Sequence, residues 1–277
     1  MRSLPALLPC LLMALAAAPP AAQAEGPRRV VSLNLCTDQL ALALLDRDRI
    51  ASLSPLATDR LSYLREKASG LPRNAGRGET ILLTGADLVL AGPFEAGARR
   101  DLLRRQGFEV MVVGLWTRLD EGRAHVRAFA KRLGIEARGE ALLAAIDGAL
   151  ERSRGIAPPR SVLVLQRRGY TPGDTTILDE LLRHMGLAPI TVAMGVPHGG
   201  TVALERLVAN PPDYILTGSG HRGVVDQGTA FLAHPALARV VPPERRLVLA
   251  DDLTICGGPS TPAAIDALAA EIRAKVR

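Results

Sequence analysis

The side chains with the most chemistry to offer sit in short glycine-rich stretches. His198 lies in VPHGG and His221 in GSGHRG, and either imidazole could coordinate a metal or donate to a ligand. The best available constellation for hydrolysis is His221 with Ser219 or Asp252. No G-x-S-x-G elbow frames that serine, and Gly218-Ser219-Gly220-His221 has the wrong spacing for one. Gly76 and Gly78 lack the third glycine of a dinucleotide fingerprint, and neither a Walker lysine motif nor an H-E-x-x-H pair occurs. A transition-metal site needs three or four convergent ligands. His125, His184 and His234 fall in helical or proline-adjacent contexts and do not complete one. The missing motifs remove the positive case for catalysis without excluding it, and the residues call for no cofactor and no resident metal. A ligand that brings its own metal fits these residues better than a bare ion; the alternatives are a secreted hydrolase and an interaction protein of the same fold with no transport role.

Candidate binding residues come from the rule that ligands of open α/β sheets sit beyond the carboxyl ends of the strands. The residues after the first expected strand are Asn34, Leu35, Cys36 and Thr37; Phe94 follows the third and Trp116 the fourth. In the second half Arg168 and Tyr170 follow one strand, His221 another, and Cys256 closes the last such loop. Trp116, the only tryptophan, and Tyr170 offer flat apolar surface to a planar ligand, or packing surface to a helix. Arg77 and Arg168 sit beside glycines, where a guanidinium can fork onto an acidic group. Cys36 and Cys256 can pair or line a pocket; their separation leaves both open.

Short β-branched runs alternating with helical periods predict an α/β fold with buried parallel strands. Strands are expected at 29–33, 50–53, 88–91, 110–113, 161–166, 214–217 and 247–250. Helices are expected at 38–45, 63–68, 80–83, 97–106, 176–185, 204–209 and 262–276. Residues 117–155 contain no strand candidate. Thr117 with Asp120 resembles a capping box, and Val126, Phe129, Ala130 and Leu133 share a helical face that Leu142, Leu143, Ile146 and Leu150 continue. A long helix, with a possible break at Gly134, would join the halves. An internal echo, GETILLTGADLVLAG against ALERLVANPPDYILTG, suggests two related lobes.

Arg2, the apolar run LPALLPCLLMALAAA and Ala22-Gln23-Ala24 have the layout of a signal peptide cut before Glu25. Cys10 falls inside it, behind Pro9. The expected division is residues 1–24 as signal peptide, 25–116 as the N-terminal lobe, 117–156 as linking helical segment and 157–277 as the C-terminal lobe. The net charge of +6 comes from arginines scattered singly and in pairs, which reads as a solvated basic surface and not a nucleic-acid stripe.

Four segments in order carry a resemblance: RRVVSLNLCTDQLALALLDRDRIASLS, GETILLTGADLVLAG, RRGYTPGDTTILDELLRHMGL and CGGPSTPAAIDALA. Together they resemble the periplasmic substrate-binding proteins of ABC importers for vitamin B12, ferric siderophores and haem. The resemblance implies two Rossmann-like lobes with central parallel-rich sheets, joined by one long helix, with the ligand cleft between them. It implies a monomer in the periplasm that captures an iron-siderophore, another iron chelate or a corrinoid and delivers it to a permease dimer in the inner membrane. It also places permease-docking glutamates at Glu79 and Glu205. The loop Asn34-Leu35-Cys36-Thr37 departs from the family's usual Ser/Pro-rich turn.

Overall fold

The structure is a computed structural model that describes residues 26–74, 78–95, 97–220 and 226–277. The signal-peptide expectation and the candidates Arg77 and His221 therefore lie outside the described residues.

The first half alternates β1 (Val30–Ser32), α1 (Leu35–Leu44), β2 (Ile50–Ser52), α2 (Gly78–Leu82), β3 (Leu88–Ala91), α3 (Gly97–Arg105) and β4 (Val110–Val112). Two helices follow, α4 (Leu119–Leu133) and α5 (Glu136–Ser153). The second half runs β5 (Ser161–Val164), β6 (Tyr170–Thr171), α6 (Ile177–His184), β7 (Ala188–Pro189), β8 (Gly200–Thr201), α7 (Leu204–Ala209) and β9 (Tyr214–Gly218). It ends with α8 (Gln227–Ala230), α9 (Pro235–Val240), β10 (Arg246–Leu249), α10 (Asp251–Thr254) and α11 (Thr261–Lys275).

Each half builds a four-stranded parallel sheet, ordered β2-β1-β3-β4 and β10-β9-β5-β7. Numbering the second set by its own sequence order gives the same 2-1-3-4 arrangement, so the two lobes share a topology. The internal echo falls on equivalent pairs, α2 with β3 and α7 with β9. A two-stranded antiparallel ribbon, β6 with β8, adds to the second lobe and was not foreseen from the sequence.

Side chains alternate between the two faces of each sheet, as a strand's period of two requires. Val30, Leu88 and Leu90 point into a core that also takes Val126, Phe129, Leu133, Leu143 and Ile146 from the linking helices and Val162, Leu216 and Ile265 from the second lobe. Val31, Val89 and Ala91 face an outer cluster with Ile81 and Leu103, while Leu163, Leu165 and Ile215 face another with Leu207 and Leu237. Both faces of both sheets are thus covered, and one apolar core runs through α4 and α5 from lobe to lobe.

The expected break falls at Gly134, and the two helical segments fold back as a hairpin instead of continuing as one rod. Gly134 ends α4 in the left-handed region, at φ 65°, and its N–H donates to the Ala130 and Lys131 carbonyls. α5 folds back on α4: the guanidinium of Arg127 meets Glu140 at 2.8 Å, Arg123 pairs with Asp147, and a Cβ on Gly139 would lie only 2.6 Å from the Ala130 Cβ. The capping box expected at Thr117 does not form. Thr117 Oγ1 bonds the Glu121 carboxylate, and the Leu119 N–H donates to Glu180 Oε2 of α6 at 2.9 Å. Residues 63–70 form successive turns where a helix was expected, because their backbone bonds close mostly over three residues: Lys67 to Leu64 at 2.9 Å, Ala68 to Arg65 at 3.2 Å and Ser69 to Glu66 at 3.3 Å.

Candidate functional site: a cleft between the lobes

A cleft of about 800 Å³ opens where the carboxyl ends of the two sheets face each other. The first lobe lines it with Cys36, Leu40, Arg60, Leu61 and the stretch Val113, Gly114, Leu115, Trp116, Thr117 that leaves β4. The second lobe adds Gln166, Arg167, Tyr170 and Pro172 after β5, Thr175 to Leu178 leading into α6, Gly218 at the end of β9 with Gly220 beyond it, and Asp251 with Leu253 to Gly257 after β10.

Cys36 and Cys256 form a disulfide across the cleft, with Cα atoms 5.4 Å apart and 220 residues between them in sequence. Asn34 sets up this bond from behind. Its side chain accepts from the N–H groups of Cys36 at 3.0 Å and Thr37 at 3.1 Å, capping α1 and fixing Cys36 in its first turn. Beneath the cap lies a buried polar knot. Ser32 and Thr37 hydroxyls meet at 2.7 Å, and the carboxylate of Asp38 accepts from Ser54 N–H at 2.9 Å and Ser54 Oγ at 2.5 Å. Burial pushes the Asp38 carboxyl above the ordinary carboxylate range, against the lowering effect of these hydrogen bonds. The knot ties the turn after β2, which leads to Arg60 and Leu61, onto α1.

Trp116 is part wall and part keystone. Its ring lies over Gly122 of α4 and over Gly257 and Gly258 of the other lobe, all close enough that only glycine fits at Gly122 and Gly257. Tyr170 is 43% exposed on the opposite side of the cleft, anchored by β6 pairing with Thr201 and with its hydroxyl close to Gly199.

Each lobe also brings a guanidinium. Arg167 is held by Asp226 at 2.6 Å, and that contact keeps the Asp226 carboxyl below its usual range. Arg60 is exposed and has no hydrogen-bond or ion-pair partner among the described residues. At the lip, Arg65 reaches Asp252 across the lobes at 3.3 Å, and Asp251 accepts from the Gly220 N–H at 2.8 Å. Among the described residues no group of three or more His, Cys, Asp or Glu could hold a metal ion.

Of the residues singled out from sequence, Cys36, Trp116, Tyr170 and Cys256 come together in this wall. Asn34 stands behind it as a helix cap. Phe94 is 84% exposed and lies away from it. Arg168, in a left-handed backbone conformation at φ 58°, and His198 are both exposed outside the wall. Arg167, one residue earlier, takes the place expected of Arg168, and Arg60, Gln166 and Thr176 were missed. Their signal was position after a strand or at a helix start, which does not say which of two neighbours turns inward. Glu79 and Glu205 are both exposed in the first turns of α2 and α7, two residues before the fully buried Ile81 and Leu207.

The fold is shared with solved binding proteins. The haem-binding protein BhuT, solved with two haems, is 24% identical with a TM-score of 0.68, over 88% of this chain and 98% of that one. The haem-binding protein RhuT from Roseiflexus sp. RS-1 is 24% identical at TM-score 0.69, over 90% and 98%. The vitamin B12-binding protein BtuF of Vibrio cholerae is 18% identical at TM-score 0.66, over 90% and 97%. No curated protein sequence matches this chain. The family model for periplasmic binding proteins matches residues 30–241, most of the chain and all four strands of the first sheet. With two equivalent lobes, a cleft at their strand ends and that match, the chain belongs to the periplasmic binding protein family and is a binding protein, not an enzyme.

Proposed function

We propose that the cleft captures a bulky metal chelate, with an acidic iron complex such as a ferric siderophore preferred over haem or a corrinoid, and that the protein hands it to an inner-membrane ABC permease. The observation that carries this reading is the composition of the cleft. Its walls are apolar and aromatic, Arg60 of one lobe brings a guanidinium without a partner among the described residues, Arg167 of the other is paired with Asp226, Asp251 is engaged by the Gly220 N–H, and the described residues offer no metal-ligand cluster. Such a site has little to offer a bare cation and much to offer a large ligand whose metal is already coordinated and whose periphery is anionic. Relatives of the same fold that bind haem and vitamin B12 support the size class.

In this reading residues 25–116 and 157–277 are the two lobes, 117–156 join them, and the protein works as a periplasmic monomer after loss of residues 1–24. Glu79 and Glu205, exposed on equivalent short helices, would meet cationic side chains of a permease dimer, one from each lobe. Titration of Trp116 fluorescence with haemin, cyanocobalamin and a panel of ferric siderophores tests the cargo; saturable quenching by one probe is expected. Flat titrations with all of them, repeated by calorimetry, would sink the reading. Glu79→Ala with Glu205→Ala is expected to abolish uptake in cells while leaving that titration unchanged.

A further inference from the structure

We propose that the Cys36–Cys256 disulfide is a redox-sensitive clasp that sets the width of the cleft, so that reducing it loosens the lobes and weakens ligand binding. The ligand-binding half of this statement rests on the function proposed above; the clasp itself does not.

The bond joins the first turn of α1 in one lobe to the turn between α10 and α11 in the other, and both cysteines line the cleft. Among the described residues non-covalent contacts join the lobes beside it. Trp116 wedges over Gly257 and Gly258, Leu40 reaches Gly258, and Arg65 pairs with Asp252 through side chains 43% and 24% exposed. An ion pair that open to solvent contributes at most about 1 kcal/mol. The covalent bond therefore outweighs the ion pair and acts beside the Trp116 packing and the core that passes through α4 and α5.

The two sulfurs differ in access. Cys256 is 5% exposed, whereas Cys36 is partly open to the cleft. A dithiol reductant meets the Cys36 Sγ first. Its thiolate bonds to that sulfur, the Sγ–Sγ bond breaks and Cys256 leaves as a thiolate that takes up a proton. The second thiol of the reductant then displaces Cys36, so two electrons and two protons pass to the protein and the reductant closes to a cyclic disulfide. A ligand seated in the cleft covers Cys36 and slows the first step. By linkage, if reduction weakens binding, binding must protect the bond.

The test uses the full chain, oxidised or treated with dithiothreitol, with alkylation and mass measurement showing two additional free cysteines in the reduced form. Amide exchange of residues 253–258 and acrylamide quenching of Trp116 then report the clasp without any ligand. Exchange about tenfold faster, equivalent to ~1.4 kcal/mol of opening free energy, and stronger quenching are expected on reduction. Unchanged exchange and quenching in a verified reduced sample would overturn the clasp. The ligand arm repeats the titrations with haemin, cyanocobalamin and ferric siderophores. A bound probe should lose affinity about tenfold on reduction and should slow alkylation when saturating; equal affinity in both forms overturns the coupling. If no probe binds, the proposed cargo fails while the ligand-free arm still decides the clasp. Cys36→Ser with Cys256→Ser should reproduce the reduced behaviour, and if that variant does not fold, reduction of the folded wild type decides alone.

Discussion

A Cβ placed on Gly257 would fall 2.1 Å from Cγ of Trp116, so the indole from one lobe fills space that only a glycine of the other lobe can leave. Gly257→Ala must push the ring aside or spread the lobes. It is expected to cost about 1–3 kcal/mol in urea unfolding and to shift tryptophan emission to the red. The same ring lies 2.1 Å from a Cβ on Gly122, inside α4, where helix propensity alone would make Gly122→Ala stabilising by about 1 kcal/mol. Steric exclusion is the larger effect here, and Gly122→Ala should destabilise. A stabilised Gly122→Ala would show that Trp116 is free to move.

Arg60 and Arg167 face the cleft while Arg168 does not. For an anionic chelate, Arg60→Ala and Arg167→Ala should each weaken binding by about 10- to 100-fold, the range of the 1.5–3 kcal/mol of a hydrogen bond to a charged group. The loss should shrink as salt rises. Arg168→Ala should titrate as wild type. Calorimetry at two ionic strengths separates these outcomes.

Asp38 is fully buried and accepts two hydrogen bonds from Ser54, yet desolvation holds its carboxyl above the ordinary range. In that window the native protein binds more protons than the unfolded chain. Stability attributable to Asp38 is therefore present below the unfolded value and falls as pH rises through the native one. Asp38→Asn should flatten this part of the stability profile, measured by urea unfolding between the ordinary carboxylate range and neutrality. A variant profile parallel to wild type would refute the assignment.

Glu180 of α6 caps α4 by accepting from the Leu119 N–H at 2.9 Å, in place of the local box expected at Thr117. Glu180→Ala should cost about 1 kcal/mol, the worth of a lost helix cap, in thermal or urea unfolding. Thr117→Ala, which removes only an exposed hydroxyl contact with Glu121, should change stability much less.

Strand positions were readable because their cause is local. Runs such as VVS at 30–32, LVLA at 88–91 and SVLV at 161–164 are short and rich in β-branched or aliphatic residues, and each became a strand. The repeat of a glutamate, a short helix and a strand fell on equivalent elements for the same reason. The helix at 63–68 failed because apolar spacing there is matched by turns that close over three residues, a choice of backbone bonding that side-chain pattern does not reveal.

The site was less legible. Arg167 and Arg168 are adjacent and of one type, and a left-handed backbone at Arg168 is what separates the residue in the cleft from the one outside it. Arg60 carried no local mark at all; it reaches the cleft because Asp38 and Ser54 tie its turn to α1.

By itself the sequence determined the α/β alternation, the two related halves, the strand-free link and the strand-end loops that hold the cleft, since these follow from interactions between residues near in the chain. Only the tertiary structure decided that the link folds back at Gly134, that Cys36 pairs with Cys256 across 220 residues, that Trp116 packs on Gly257, and that a glutamate of the second lobe caps α4. Each of those is a meeting of groups far apart in sequence, set by how two covered sheets and one shared core fill space together, and no local pattern encodes it.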